Sequence, residues 1–97
     1  MFVGTVEFDL LLGDVRSLKE KRSIVRPIVA ELRRRFDVAA AEVGHLELHR
    51  RASVGVSAVA ADAGHCRDVL EECERFVAVR PEVELLSVQR RFFGPND

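Results

Sequence analysis

Apolar and polar residues alternate along residues 2–12 (FVGTVEFDLLL), as they do in a β-strand that is buried on one face. One set of alternate positions is apolar throughout and is expected to meet helices: Phe2, Gly4, Val6, Phe8, Leu10 and Leu12. The other set is mixed: Val3, Thr5, Glu7, Asp9 and Leu11. We therefore predict a first strand whose second face is partly open.

Helical spacing of apolar residues follows the strand. The predicted buried stripe contains Leu18, Val25, Val29, Leu32 and Phe36. Ser17 and Glu20 have the spacing of a capping box, in which each side chain bonds the other residue's N–H. Pro27 removes one helical hydrogen bond, but the stripe keeps its phase across it. We therefore predict one bent helix rather than two.

The remaining elements are assigned from similar patterns. We predict a short strand at 37–43, a polar loop at 44–51, a strand at 52–61 and a last strand at 83–92, followed by a disordered tail at 94–97. Asp62 is the predicted cap of a second helix, which Pro81 ends. The buried stripe of that helix contains Cys66, Val69, Leu70, Cys73 and Val77.

The element order β-α-β-β-α-β predicts the fold. Right-handed crossovers place both helices on one face of a four-stranded antiparallel sheet. The fold class is therefore α+β, of the ferredoxin-like split βαβ type, with a single domain over residues 1–97. No element of the chain is left to cover the other face of the sheet.

The composition of the chain indicates the cellular compartment in which the protein works. No apolar run approaches the roughly 20 residues of a membrane span, and no basic stretch leads into an apolar segment at the start. Seven residues along a helix separate the Cα atoms of Cys66 and Cys73 by roughly 10 Å, too far for a disulfide. We expect a cytoplasmic protein in which both cysteines act as small buried hydrophobes.

Several short segments resemble one bacterial family. They are residues 16–23 (RSLKEKRS), 41–43 (AEV), His45, Leu48, Arg51 and Ala52. These segments are similar to the YlxP-like proteins, a catalogued domain of unknown function. The resemblance implies a ferredoxin-like fold and a small cytoplasmic protein, with no established catalytic residue. Genes of that family often lie beside those for translation initiation factor two and the ribosome-binding factor, which implies work on the ribosome or RNA.

Charge is distributed unevenly along the chain. Residues 16–36 hold eight basic and two acidic side chains, whereas residues 62–82 hold three basic and six acidic ones. A basic stripe on a helix can track a phosphate backbone. Our candidate nucleic-acid-binding residues are Arg16, Lys19, Lys21, Arg22, Arg26, Arg33, Arg50 and Arg51.

A structural explanation of the same charges competes with nucleic-acid binding. The two helices lie side by side in this fold, so the basic first helix could simply complement the acids of the second and otherwise present a solvated face. Those acids are Asp68, Glu71, Glu72 and Glu74. Lys21 falls inside the apolar arc of the first helix, where we expect its stem to snorkel toward solvent. A role in anchoring an anion with Arg16 and Arg22 is the alternative.

Other chemistry has little support in the sequence. Glu42, His45 and His49 are metal-ligand types, but their spacing matches no specific site. No phosphate-binding loop, dinucleotide-binding motif, nucleophile elbow or C-x-x-C motif is present. We therefore predict no catalytic residue, no metal and no cofactor, and a binding protein rather than an enzyme.

The open face of the sheet offers a second functional hypothesis. Its residues on the first and third strands include no aromatic side chain on which RNA bases could stack. Small and apolar groups on that face suit burial against another surface. The alternative function is therefore a homodimeric protein–protein interaction module that uses the open sheet face and has no nucleic-acid role.

Overall fold

The computed structural model describes all residues, 1–97, and contains four strands and two helices. In chain order they are β1 (Phe2–Leu12), α1 (Leu18–Phe36), β2 (Ala39–Gly44), β3 (Arg51–Ala60), α2 (Ala63–Ala78) and β4 (Val83–Phe93). The strands form one antiparallel sheet in the order β2-β3-β1-β4. The predicted ferredoxin-like α+β fold is confirmed. Neither helix is long and apolar enough to cross a membrane.

The hydrophobic core lies between the two helices and one face of the sheet. Even-numbered residues of β1 and β3 point into it, with Phe8 of β1 opposite Val54 of β3. α2 packs especially closely on β1 at Gly4. A Cβ atom at this position would lie only 2.6 Å from a methyl carbon of Leu70, which is closer than van der Waals contact allows. Cys66 and Cys73 are free and fully buried, as predicted.

The start of α1 is capped almost as the sequence predicts. The hydroxyl of Ser17 accepts a hydrogen bond from the Glu20 N–H, at 3.1 Å. The carboxylate of Glu20 reaches back to the N–H of Arg16 at 2.7 Å, one residue before the expected Ser17 N–H. α1 continues through Pro27 as a single helix.

The ends of three strands differ from the prediction. β2 begins at Ala39 rather than at residue 37, because Asp37 ends α1 in the left-handed conformation with φ 55°. β3 begins at Arg51, which pairs with Leu11. β4 extends to Phe93, which lies opposite Val3 and so adds an aromatic side chain to the open sheet face. The residues of β1 and β3 on this face include no aromatic side chain, as expected, and Phe93 is contributed by β4.

Candidate nucleic-acid interface

Three of the predicted basic residues form an exposed, unpaired group on α1. Lys19, Arg22 and Arg26 are all solvent-exposed, and none makes a hydrogen bond or an ion pair within the chain. They lie on one side of the helix at successive turns. We call these three residues the basic flank. Their guanidinium and ammonium groups are free to bind an anionic partner.

The basic flank does not complement the acidic helix α2. No ion pair joins the two helices. Within α2, Glu72 pairs with Arg75, and Glu74 pairs with Arg90 of β4. On the side of α1 nearest α2, Arg35 stacks over the rings of Phe36 and Phe76. Direct ion pairing between the two helices therefore does not account for the charges of α1, and a solvated charged face is the structural alternative to binding.

Three other candidates are held in part by the chain itself. Arg33 donates from Nε to the carbonyl oxygen of Ala40 at 2.8 Å, and Arg50 donates from Nε to that of Gly13 at 2.7 Å. Arg16 contacts the carboxylate of Asp14 at 3.3 Å, with both side chains largely exposed. Each of these arginines stays exposed, and such exposed contacts are weak. They can extend the basic flank but do not define it.

Lys21 lies inside the protein, against our expectation of a snorkelling side chain. Its residue is 1% exposed. The ammonium Nζ donates to the carbonyl oxygen of His45 at 2.7 Å and lies 2.8 Å from a carboxylate oxygen of Glu42. Because its ammonium is buried against these two oxygens, Lys21 cannot join the basic flank on a phosphate. Its role is to tie α1 to the end of β2.

The carbonyl that Lys21 contacts belongs to a residue with an unusual backbone conformation. His45 has φ 57°, in the left-handed region that residues other than glycine rarely adopt. Lys21 holds the carbonyl of this residue, which also accepts from the N–H of Leu48 at 3.0 Å. The turn that begins the 45–50 loop is therefore anchored from the core side by α1.

Arg51 is engaged on the open sheet face, on the opposite side of the sheet from the basic flank. Its guanidinium donates to a carboxylate oxygen of Asp9 at 2.5 Å, and the imidazole of His45 lies 3.6 Å from the other oxygen. The hydroxyl of Ser53, which is opposite Asp9 in the sheet, is buried without a partner. The hydrogen bond from Arg51 lowers the pKa of the Asp9 carboxyl, and the lowering outweighs the opposing effect of burial.

The lowered pKa of Asp9 predicts how stability changes in acid. A carboxyl whose pKa is lower in the folded state stabilises the protein above its unfolded pKa of about 3.9, and that stabilisation is lost as the pH falls through the folded pKa. We expect the free energy of unfolding of the wild type to fall below about pH 4 more steeply than that of Asp9→Asn. Urea titrations between pH 6 and pH 2 measure both slopes. Arg51→Gln removes the donor and should behave like Asp9→Asn, and identical acid slopes in all three proteins would refute this assignment.

The three candidate metal ligands are not assembled into a site. Glu42 is bound by Lys21 on the helix side of the sheet, whereas the imidazole of His45 points to Asp9 on the open face. His49 is exposed on the loop. No group of three or more His, Cys, Asp or Glu side chains comes together anywhere in the chain in a way that could hold a metal ion.

Comparison with known proteins agrees with the resemblance found in the sequence. The chain is 28% identical over 91 residues to the uncharacterized protein YlxP of Bacillus subtilis (strain 168). The match covers 94% of this chain and 99% of the relative. The family model described as a protein of unknown function, DUF503, matches residues 3–90. With nearly its whole length matched, the chain belongs to the DUF503 family.

Proposed function

We propose that this protein is a cytoplasmic accessory factor that binds ribosomal RNA through the basic flank of α1. One observation carries the proposal: Lys19, Arg22 and Arg26 are exposed and have no partner within the chain. No acidic side chain of the neighbouring helix α2 forms an ion pair with α1. An unpaired row of cations on a rigid helix is suited to a phosphate backbone, whose charge supplies the affinity. The proposed role is binding and not catalysis.

The surroundings of the flank support a contact broader than one helix. Arg33 adds a guanidinium at the far end of α1, and Arg50 and Arg16 add two near its start, where the 45–50 loop is anchored. A surface of this size could neutralise about three to six phosphates, for a salt slope of roughly −2 to −4 on single-stranded RNA.

The test is co-sedimentation with ribosomal subunits in low and in moderate salt. The protein should travel with one subunit in low salt and be released as salt rises, because counterion release drives phosphate binding. In Arg22→Gln/Arg26→Gln, the slope of log affinity against log salt should shrink by about 1.4, or about 0.7 for each lost phosphate contact.

A matched control distinguishes the effect of losing basic-flank residues from the effect of lowering the net charge. Arg67→Gln/Arg75→Gln changes net charge equally but alters exposed residues of α2. Its affinity for the ribosomal subunit should be close to that of the wild type, with only the small decrease that follows from the lower overall positive charge. The proposal fails if the wild type stays at the top of the gradient in low salt, or if both double variants lose binding equally.

Protein–protein interaction through the open sheet face is the second candidate function. No element covers this face, and small residues of β2 and β3 line a shallow depression of about 530 Å³ on it, among them Ala39, Ala41, Gly55 and Ser57. Small side chains let another surface approach closely. Ser57→Lys places a long cation in the depression and should abolish any association that uses this face.

A further inference from the structure

β4 presents an unusually long free edge. It is an outer strand of eleven residues whose only strand partner is β1. No backbone or side-chain hydrogen bond from elsewhere in the chain reaches its outer side. A free edge of this length offers a row of unpaired N–H and C=O groups to another strand.

The opposite edge of the sheet is protected. β2 has six residues, and its pairing with β3 is interrupted by a bulge between Glu42 and Gly44. The guanidinium of Arg33 occupies the carbonyl oxygen of Ala40 on this strand. Short length, a bulge and a covering cation are the usual means by which proteins block an edge. Strand addition is therefore open at β4 alone.

Two charged residues of β4 lack partners. Arg90 pairs with Glu74 of α2, whereas Glu84 and Arg91 make no ion pair within the chain. Glu84 lies opposite Leu11 and Arg91 opposite Thr5, so both side chains project from the open face of the sheet. They stand near the two ends of the strand with opposite charges.

The spacing of these charges is symmetric about Val88. The register of β4 against β1 skips Leu86, which is the extra residue of a bulge. Without that residue, Glu84 and Arg91 each lie three ladder positions from Val88. In an antiparallel pair of two β4 strands centred on Val88, each Glu84 would therefore face an Arg91 on the same side of the sheet. Opposite charges at directly facing positions stabilise a strand pair.

We propose that β4 pairs with β4 of a second copy of this chain, which would form a continuous eight-stranded sheet with a two-fold axis at Val88. The interface is self-complementary, as a two-fold dimer requires. It contains two Glu84–Arg91 pairs, and Val83 of each copy faces Phe92 of the other. It does not use the basic flank, so it stands independently of the proposed RNA contact, whereas Arg91 also lines the depression on the open face.

Charge exchange at the two positions tests this dimer. Sedimentation velocity on the full chain, up to high micromolar concentration, should show a monomer–dimer equilibrium. Glu84→Arg and Arg91→Glu each put like charges opposite one another twice, and each should weaken association about tenfold. Mixing the two variants restores opposite charges in a heterodimer and should recover wild-type affinity, which also shows that both variants fold.

Ser57→Lys is the matched control, since Ser57 lies on β3 near the middle of the open face. It should leave the edge dimer intact. Three results overturn the proposal: a wild type that is monomeric at every concentration, single charge variants that associate as tightly as the wild type, or association that Ser57→Lys abolishes.

Discussion

Lys21→Ala is expected to lower the free energy of unfolding by about 3–5 kcal/mol. The substitution removes an ammonium that is almost wholly buried and leaves the carboxylate of Glu42 without its cation. It also removes one of the two hydrogen bonds to the carbonyl of His45, a residue in the left-handed backbone conformation. Urea denaturation at neutral pH, followed by circular dichroism, measures the loss.

Two further variants show whether the loss comes from the buried pair. Lys19→Ala, two positions earlier on the exposed side of α1, should change stability by less than about 0.5 kcal/mol. Lys21→Met/Glu42→Leu removes both charges together and should recover most of the stability, because no uncompensated charge remains. Equal stabilities for Lys21→Ala and Lys19→Ala would show that the ion pair contributes nothing.

Phe8→Ala should lower the free energy of unfolding by a similar amount, about 3–5 kcal/mol. Phe8 has no exposed surface and lies on the inner strand β1, between Val54 of β3 and Val88 of β4. Loss of its ring leaves a cavity, because the three strands and two helices around it can move only partly into the vacated space. Thermal and urea unfolding both report the change.

Val59→Ala provides the comparison for the core variant. Val59 is on β3 but 67% exposed, so its truncation should alter stability by less than about 0.5 kcal/mol. A loss at Val59 as large as that at Phe8 would mean that the outer face of the sheet is buried in solution, as it would be if two open faces packed together.

Much of the fold could be predicted from the sequence because its signals are local. The alternation of β1, the stripe of α1 and the caps at Ser17 and Asp62 each depend on neighbouring residues, and the structure reproduces them. The start of β2 is predicted less accurately, since its alanine-rich segment lacks an alternation of apolar and polar residues. Its start is set by Asp37, whose left-handed conformation the sequence pattern does not show.

The candidate site could be predicted only in part. Exposure of the basic flank follows from the helical period, but the positions of Lys21 and Arg51 depend on strand register. Arg51 meets Asp9 across 42 positions of the chain, a distance over which local patterns carry no information. The sequence nevertheless contains a signal for Lys21: it is a charge on the apolar arc of α1, and Glu42 is an acid near the end of the alanine-rich segment predicted as β2.

The burial of Lys21 has a consequence for covalent modification of the chain. Lys19 and Lys21 are its only lysines, and they stand two residues apart on α1, with Lys19 exposed and Lys21 buried. An acylating enzyme or reagent acting on the folded chain can reach Lys19, where acylation removes one of the three charges of the basic flank. It can reach Lys21 only when the domain opens. One short peptide therefore reports both the chemical state of the proposed RNA contact and the integrity of the fold.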